Sequence, residues 1–160
     1  MTDRTACTIR DAVIGDAPEM ARLLTLLGHP TSQDEIIHRW AAFSAGGSGA
    51  LVAERPDGAL AGLATLHVTP VLHRPRPVGR ITSLVVDTAL RGQGLGRRLV
   101  EAAEAVLAAQ GCGLLEVTSN LRRADAHAFY ERIGYERTSY RFQRALAAAV
   151  TARATEPPRR

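Results

Sequence analysis

The chain contains no lysine, because all 20 of its basic residues are arginines. This absence excludes the phosphate-binding loop of kinases and related nucleotidases, which needs a lysine directly after its last glycine. Cysteine is also scarce: Cys7 and Cys112 lack the spacing of a metal site, and we expect both to be reduced and structural. The sequence therefore predicts no metal centre.

Long hydrophobic runs are absent as well. No apolar stretch has the length of a membrane span, and the first residues lack the hydrophobic region of a signal peptide. We therefore expect a cytoplasmic protein with no membrane partner.

Aromatic residues make up only 4% of the 160 residues, although 46% are hydrophobic. This composition predicts an aliphatic, alanine-rich core in one domain. We place that domain at residues 1–146 and expect residues 147–160 to form a flexible tail.

The formal net charge of +4 is compatible with nucleic-acid binding. However, the chain has few aromatics and no run of five basic residues, and four arginines lie in or beside candidate phosphate-binding segments. The charge therefore favours an anionic cofactor over DNA or RNA, and we expect no nucleic-acid partner.

A glycine-rich loop is the most informative feature that is present. A predicted strand ends at Val86, and Gly92, Gly94 and Gly96 follow at alternate positions before an amphipathic helix. Glycine permits left-handed dihedrals and close approach of a ligand, and amides at a helix start attract anions. The loop is therefore a predicted site for a phosphate or pyrophosphate.

A dinucleotide-binding fingerprint would need glycine at position 97, where the chain has Arg97. The loop instead fits the pattern Arg/Gln-x-x-Gly-x-Gly/Ala through Arg91, Gly94 and Gly96. This pattern resembles motif A of the GCN5-related N-acetyltransferase (GNAT) family, which binds the pyrophosphate of acetyl-CoA.

A second block supports the resemblance. After a predicted strand at 113–120, residues from Asn120 to Tyr135 are similar to the family pattern Asn-x-x-Ala-x-x-Phe-Tyr-x-x-x-Gly-Phe/Tyr. Arg122 and Arg123 are extra residues in this pattern and widen its first spacing. The resemblance covers residues 7–146 and is most specific between 81 and 142.

The resemblance implies an α/β fold with a mixed, mostly antiparallel central sheet, splayed central strands and about four flanking helices. Hydrophobic periodicity and turn residues predict its elements. Predicted strands are 7–13, 50–54, 60–69, 80–86, 113–120 and 137–146. Helices are expected after Asp16, after Thr31 or Ser32, after the glycine loop, and from Ala124, whereas the three prolines of residues 70–77 predict a loop.

The resemblance also implies the cofactor contacts. Backbone groups of β-strand residues would pair with the pantetheine arm, and the Val86 N–H would donate to the thioester carbonyl. Arg97 and Arg98 are equally well explained as solvated helix residues. For Asn120 the cofactor contact is favoured over the alternative, a helix cap. The full predicted set is Leu84, Val85, Val86, Arg91, Gly92, Gln93, Gly94, Leu95, Gly96, Arg97, Arg98, Asn120 and Tyr130.

Tyr130 is the predicted general acid, because a phenol can protonate a departing thiolate; the alternative is a core aromatic beside Phe129. The general base is less defined. Many relatives have an acidic residue where this chain has Thr82 and Ser83. Neither threonine nor serine is a base at this position. The candidate bases, acting directly or through water, are therefore Glu116, His67, His73 and His127.

A narrower similarity, around His67 and His73 and again from Thr118 to Tyr130, is to the aminoalkylphosphonate N-acetyltransferases. The resemblance as a whole implies acetyl transfer from acetyl-CoA to the amine of a small molecule, by direct attack in a ternary complex. Homodimers are common in this family. Two alternatives remain: a protein N-terminal or lysine acetyltransferase, and a non-enzymatic CoA-sensing or nucleic-acid-binding module.

Overall fold

A computed structural model describes residues 6–146. The elements in chain order are β1 (Thr8–Asp11), α1 (Ala17–Leu27), α2 (Gln33–Ala45), β2 (Ser48–Glu54), β3 (Leu60–Thr69), β4 (Val78–Val86), α3 (Leu95–Ala109), β5 (Leu114–Val117) and α4 (Ala124–Arg132). Short 3₁₀ turns at Ile14–Asp16 and Thr88–Leu90 precede α1 and α3.

The five strands form one sheet in the order β1-β2-β3-β4-β5. The first three pairings are antiparallel, and β4 pairs with β5 in parallel. The parallel pair requires a crossover connection, which α3 supplies. The predicted mixed, mostly antiparallel α/β fold is therefore confirmed.

Helices cover both faces of this sheet. Alternate residues of β2 point to opposite sides: Leu51 and Ala53 pack in a cluster with α3, whereas Ala50 and Val52 pack in a cluster with α1. Helix α4 adds partly buried residues to the α3 side. Among residues 6–146 no aromatic side chain is fully buried, so the core is aliphatic, as the composition predicted.

The helix ends follow the local sequence. Ser32 caps α2, because its hydroxyl accepts from the Glu35 amide while the Glu35 carboxylate accepts from the Ser32 amide. Gly28 ends α1 at φ 101°, a left-handed conformation that favours glycine. Within residues 6–146, no helix is both long enough and apolar enough to cross a bilayer.

Most predicted strands are found, with shifted ends. The prediction for residues 60–69 is confirmed at both ends, β2 and β4 each begin two residues earlier than predicted, and residues 70–77 form the predicted loop. Strand β1 is shorter than the predicted 7–13, and β5 is much shorter than the predicted 113–120.

The predicted strand at 137–146 is wrong for the chain as described, because this segment has no regular secondary structure. Its apolar residues alternate as in a strand, but no described strand pairs with it. Phe142 is 92% exposed as a result. The predicted tail, 147–160, lies outside the described residues.

Candidate active site

Strands β4 and β5 separate towards their C-terminal ends. Their pairing runs only from Val78–Leu114 to Ile81–Val117. Beyond that point, residues 82–86 of β4 have no strand partner on the β5 side among the residues described. The sheet therefore opens into a gap beside β4, the splay that the resemblance implied.

A β-bulge lies where the gap begins. Thr65 pairs with Ser83 and Leu66 pairs with Ile81, so Thr82 is an extra residue on β4. The hydroxyls of Thr65 and Thr82 are 2.7 Å apart. Such a bulge increases the local twist of the strand, and it lies where the pairing of β4 with β5 ends.

The backbone of β4 presents two amides to the gap. The Asp87 amide donates to the Ala61 carbonyl of β3 at 2.8 Å. Because successive amides in a strand point to opposite sides, the N–H groups of Leu84 and Val86 face away from β3, and that of Val85 faces β3. The Val86 carbonyl also faces the gap, since it accepts from Arg91 Nε at 3.2 Å.

The glycine loop holds a set of unpaired amides. Gly92 and Gly94 have φ values of +75° and +79°, and a Cβ at either position would meet nothing within 4 Å. Glycine is therefore required there by backbone conformation and not by crowding. Among the described residues, none of the amides of residues 92–97 donates a hydrogen bond within the protein. They lie at the N-terminus of α3, the positive end of its dipole.

The arginines of this segment have protein partners. Arg98 Nη2 donates to the Cys7 carbonyl at 2.7 Å, and Arg97 Nε pairs with Glu101 at 2.8 Å on the exposed side of α3. Gln93 Nε2 lies 3.5 Å from the Ala89 carbonyl. Arg97 therefore has a partner on the exposed side of α3, Arg98 attaches α3 to the segment before β1, and the cofactor contacts of both stay predictions.

Asp87 shapes the turn between β4 and the glycine loop, a role that sequence reasoning missed. Its carboxylate accepts from the Ala89 amide at 3.1 Å and from Arg22 Nη1 of α1 at 2.8 Å. These two donors lower the pKa of Asp87 below its usual value. An aspartate directly after a buried strand was the signal that could have indicated this turn.

Helix α4 brings an aromatic group to the start of α3. The Phe129 ring lies next to Gly96, where a Cβ would come within 3.5 Å of it. The Tyr130 ring packs between Phe129 and Tyr135, with centroid distances of 5.1 and 5.6 Å. Burial raises the pKa of Tyr130 to about 12, against a smaller lowering by Arg123. Its hydroxyl therefore stays protonated at neutral pH and donates to no described residue.

Asn120 forms the turn before α4 instead of capping the helix. Its Oδ1 accepts from the Arg122 amide at 2.9 Å, and α4 begins at Ala124 with Arg123 in the cap position. His127 Nε2 donates to the Asn120 carbonyl at 3.0 Å. The turn leaves Asn120 Nδ2 as a donor without a partner among the described residues.

The candidate bases His67 and Glu116 lie on the same face of the sheet. His67 Nδ1 is 2.9 Å from Ser48 Oγ, and Glu116 Oε1 accepts from Arg80 Nε at 3.0 Å and also from Arg80 Nη2. Strand register places these four residues side by side: Ser48 opposite His67, His67 opposite Arg80, and Arg80 opposite Glu116. We call Ser48, His67, Arg80 and Glu116 the polar row. His73 is separate from it, on the exposed 70–77 loop.

Residues 18–135 match the sequence model of the Acetyltransferase (GNAT) family. The chain belongs to this family. The glycine loop and the sheet gap beside β4 both lie within the matched residues.

Characterised GNAT relatives match part of the chain. An aminoalkylphosphonate N-acetyltransferase of Salmonella typhimurium is 39% identical over 90 residues, covering 56% of this chain and 58% of that protein. A glucosamine 6-phosphate N-acetyltransferase of Trypanosoma brucei brucei is 33% identical over 82 residues, covering 51% and 54%. The chain thus matches little more than half the length of these relatives.

A solved GNAT structure matches over a longer range. The crystal structure of an acetyltransferase from Trypanosoma brucei superposes with a TM-score of 0.78 at 26% identity, covering 88% of this chain and 99% of that one. The shared fold therefore extends well beyond the region of curated sequence similarity.

The loop fits the diphosphate of a CoA-type ligand by its own chemistry. Six consecutive unpaired amides at a helix N-terminus form a concentrated donor set for anionic oxygens. The acidic side chains nearest in sequence, Asp87 and Glu101, are each paired with an arginine. Their charge is thereby compensated, so that the loop remains favourable for an anion.

Proposed function

We propose that this chain transfers an acetyl group from acetyl-CoA to the amine of a small molecule, by direct attack within a ternary complex. The observation that carries the proposal is the set of unpaired amides at residues 92–97 beside the open edge of β4. The two curated relatives, an aminoalkylphosphonate N-acetyltransferase and a glucosamine 6-phosphate N-acetyltransferase, support the acceptor class. Bound acetyl-CoA supplies an acetyl group activated as a thioester.

The loop amides from Gly92 to Gly96 hold the diphosphate, whereas the Arg91 amide, which was also predicted for this role, already donates to the Thr88 carbonyl at 3.4 Å. Leu84 and Val86 then bind the pantetheine arm along β4, because their amides face the gap. An arm that starts at the loop reaches Val86 first and Leu84 second. We therefore propose that the Leu84 N–H donates to the acyl carbonyl and that Val86 binds the arm. The sequence had assigned the acyl carbonyl to the Val86 N–H, two residues further along β4.

Tyr130 is the proton donor to the departing thiolate in this proposal. Its hydroxyl has no partner among the described residues, and its raised pKa keeps it protonated. The Phe129 contact with Gly96 fixes α4 at the start of α3, so that the phenol is presented on the same side of the sheet as the glycine loop.

The acceptor amine must lose a proton. An amine of lysine-like pKa is neutral at about one part in a thousand at pH 7, which corresponds to roughly 4 kcal/mol. We propose His67, acting through water, as the proton acceptor. Ser48 orients its ring, whereas the Glu116 carboxylate is paired with Arg80.

The experiment is a screen for acetyl-CoA consumption across aminoalkylphosphonates, amino acids, polyamines and aminoglycosides, with a peptide library as a further arm. Thiol release with a small amine supports the proposal. Release with peptides alone would favour a protein acetyltransferase.

A thermal shift with acetyl-CoA separates the remaining alternatives, because a ligand of the native state raises its melting temperature. A shift without turnover on any amine would indicate a CoA-sensing module. No shift at millimolar acetyl-CoA, together with salt-sensitive binding to nucleic acid, would overturn the enzymatic proposal. We also propose that the protein forms a homodimer and is located in the cytoplasm.

A further inference from the structure

We propose that the polar row is the acceptor subsite and that Arg80 selects amines carrying an acidic group on a short chain. This inference rests on the proposed function, since it names the class of amine that the acetyltransferase would take. It depends on where the row lies in the sheet and on which of its charges are compensated.

The row lies on the face of the sheet opposite α3. Ile81, the neighbour of Arg80, is buried in the α3 cluster, and so is Leu66, the neighbour of His67. Leu115 and Val117, on either side of Glu116, pack against the same cluster. Because neighbouring strand residues point to opposite faces, the side chains of the row project from the other face.

Helices α1 and α2 leave this part of the face open. Their cluster contains Ala50, which lies next to the row, and Val52, Leu63 and Val85, which lie farther along the strands. The side chains of Arg80 and Glu116 are therefore 45% and 42% exposed, although they stand on strands of the central sheet. A small molecule can reach them from solvent.

The row also stands at the point where the sheet splits. Arg80 and Glu116 form the pair next to the last one, Ile81–Val117, and the gap opens directly after it. Leu84 follows Arg80 by four residues, about 13 Å along the strand or less because of the bulge. The long Arg80 side chain and a short amine together can span this distance.

The charges of the row complement an amine that also carries an acid. Both contacts from Arg80 go to Glu116 Oε1, so Arg80 Nη1 and Glu116 Oε2 have no partner among the described residues. A guanidinium binds carboxylate, phosphonate or phosphate through two parallel hydrogen bonds. An acid group bound by Arg80 leaves the amine of the same short molecule directed along β4 towards Leu84.

Stability does not account for this arrangement. An ion pair with both side chains exposed contributes little to the folded state. A strand position facing solvent could hold any polar residue, yet this row combines an imidazole, a guanidinium and a carboxylate at the edge of the proposed reaction site. Acceptor recognition explains their presence together.

The test compares Arg80→Gln and the double variant Arg80→Gln/Glu116→Gln with the wild type. The acceptors are 2-aminoethylphosphonate, β-alanine and O-phosphoethanolamine. n-Propylamine, which carries no acid group, is the reference acceptor. We expect kcat/KM for the acid-bearing acceptors to fall at least about 10-fold in both variants, as for the loss of a charged hydrogen bond. The value for n-propylamine should change less than about 2-fold.

Arg39→Gln is the control, because it removes an arginine of another exposed arginine–glutamate pair, which lies on α2 and away from the polar row. It should leave all acceptors unaffected, and all variants should keep the thermal shift with acetyl-CoA. The order of kcat/KM among the three acid-bearing acceptors shows whether Arg80 prefers a phosphonate, a carboxylate or a phosphate. If kcat/KM falls equally for the acid-bearing acceptors and for n-propylamine, or falls for neither, the proposed subsite is wrong.

A binding measurement separates this inference from the proposed function. Calorimetry with 2-aminoethylphosphonate and CoA needs no turnover. If the wild type binds it and Arg80→Gln does not, the subsite stands even where no acetyl transfer is detected. The subsite is wrong if neither the wild type nor Arg80→Gln acetylates 2-aminoethylphosphonate and the two proteins bind it equally or not at all.

Discussion

At the scale of single residues, the left-handed glycines of the loop are the features most open to test. Gly94 and Gly58 have φ values of +79° and +83°, and a Cβ at either would meet no atom within 4 Å. Alanine at each position therefore introduces the same backbone strain, about 1–2 kcal/mol. Only Gly94 belongs to the proposed diphosphate site.

We expect Gly94→Ala to raise the Kd for acetyl-CoA at least about 10-fold, since the loop relaxes and turns donor amides away. Gly58→Ala should lower the melting temperature as much as Gly94→Ala does, because the backbone strain is the same, but it should leave the Kd for acetyl-CoA unchanged. Calorimetric titration and thermal unfolding provide the two measurements. Equal affinities of the two variants would place the diphosphate elsewhere.

The Tyr130 hydroxyl gives a second residue-scale prediction. Tyr130→Phe should lower kcat about 100-fold, the range for a positioned general acid, with little change in the KM for acetyl-CoA. Tyr135→Phe is the control, because its hydroxyl donates to Glu104 on the outer side of α3 and its loss should leave kcat intact.

The pH profile of the wild type checks the same assignment. An unperturbed phenol loses its proton at pH values of about 10, but burial raises the pKa of Tyr130 to about 12. The protonated, donating form therefore persists, and kcat should show no alkaline decline from this group up to about pH 10. A decline there that disappears in Tyr130→Phe would contradict the raised pKa.

Residues that act together could be found from sequence only where they are neighbours in the chain. The glycine loop and the Phe129–Tyr130 pair are contiguous, so their spacing was sufficient. The polar row draws Ser48, His67 and Arg80 from three different strands, and only the strand register aligns them. His67 and Glu116 were named from sequence as candidate bases, but the arginine between them was not.

At the scale of elements, local patterns predicted β3 well and the last strand badly. Residues 60–69 combine strand-forming residues with a turn before them and a proline after them, and the whole pattern is local. Residues 137–146 alternate in the same way, but a strand also needs a neighbour to accept its hydrogen bonds. The shortness of β5 and the bulge at Thr82 likewise depend on pairing, which the sequence does not display.

Strand β1 is attached to the start of α1 by one arginine, and this gives an element-scale prediction. Arg10 donates two hydrogen bonds to Asp16 and one to Glu54. The guanidinium lowers the pKa of Asp16 below its usual value, and that of Glu54 as well. Asp16→Asn should therefore reduce the free energy of unfolding at pH 7 by about 1–3 kcal/mol.

The pH dependence has a defined sign. A carboxylate whose pKa is lower in the folded state stabilises the protein above its unfolded pKa, and this contribution is lost as the pH falls through the folded value. Urea unfolding of the wild type and Asp16→Asn should therefore converge below about pH 4. Arg137→Gln, which removes an exposed ion pair, should have almost no effect at any pH; a difference for Asp16→Asn that persists in acid would contradict the argument.

At the scale of the whole molecule, the fold was predicted through the family resemblance and the core through composition. An aliphatic core follows from many alanines and leucines and few aromatics, and the buried residues agree. The aromatics lie instead around the aliphatic core or on the surface: Trp40 and Phe43 pack on α2, Phe129, Tyr130 and Tyr135 lie near α3, and Tyr140 and Phe142 are exposed after α4. That distribution bears on self-association, because exposed aromatic patches mark interaction sites.

The segment after α4 predicts a homodimer. Tyr140, Phe142 and Leu146 are 82%, 92% and 88% exposed on a chain segment without a strand partner. Strand β5 is an edge strand of the described sheet, with Leu114 also exposed. A free apolar segment and a free strand edge are complementary between two copies of the chain, and their pairing would remove both from water.

Light scattering after gel filtration should therefore give twice the 17.1 kDa mass of the chain. Phe142→Ser should shift the equilibrium towards monomer, and because Phe142 is almost fully exposed, the variant monomer should remain folded. Leu72→Ser removes an isolated, fully exposed leucine on the 70–77 loop and should leave the dimer intact. A wild type that stays monomeric at all concentrations would refute the pairing, and so would a Leu72→Ser variant that dissociates as readily as Phe142→Ser.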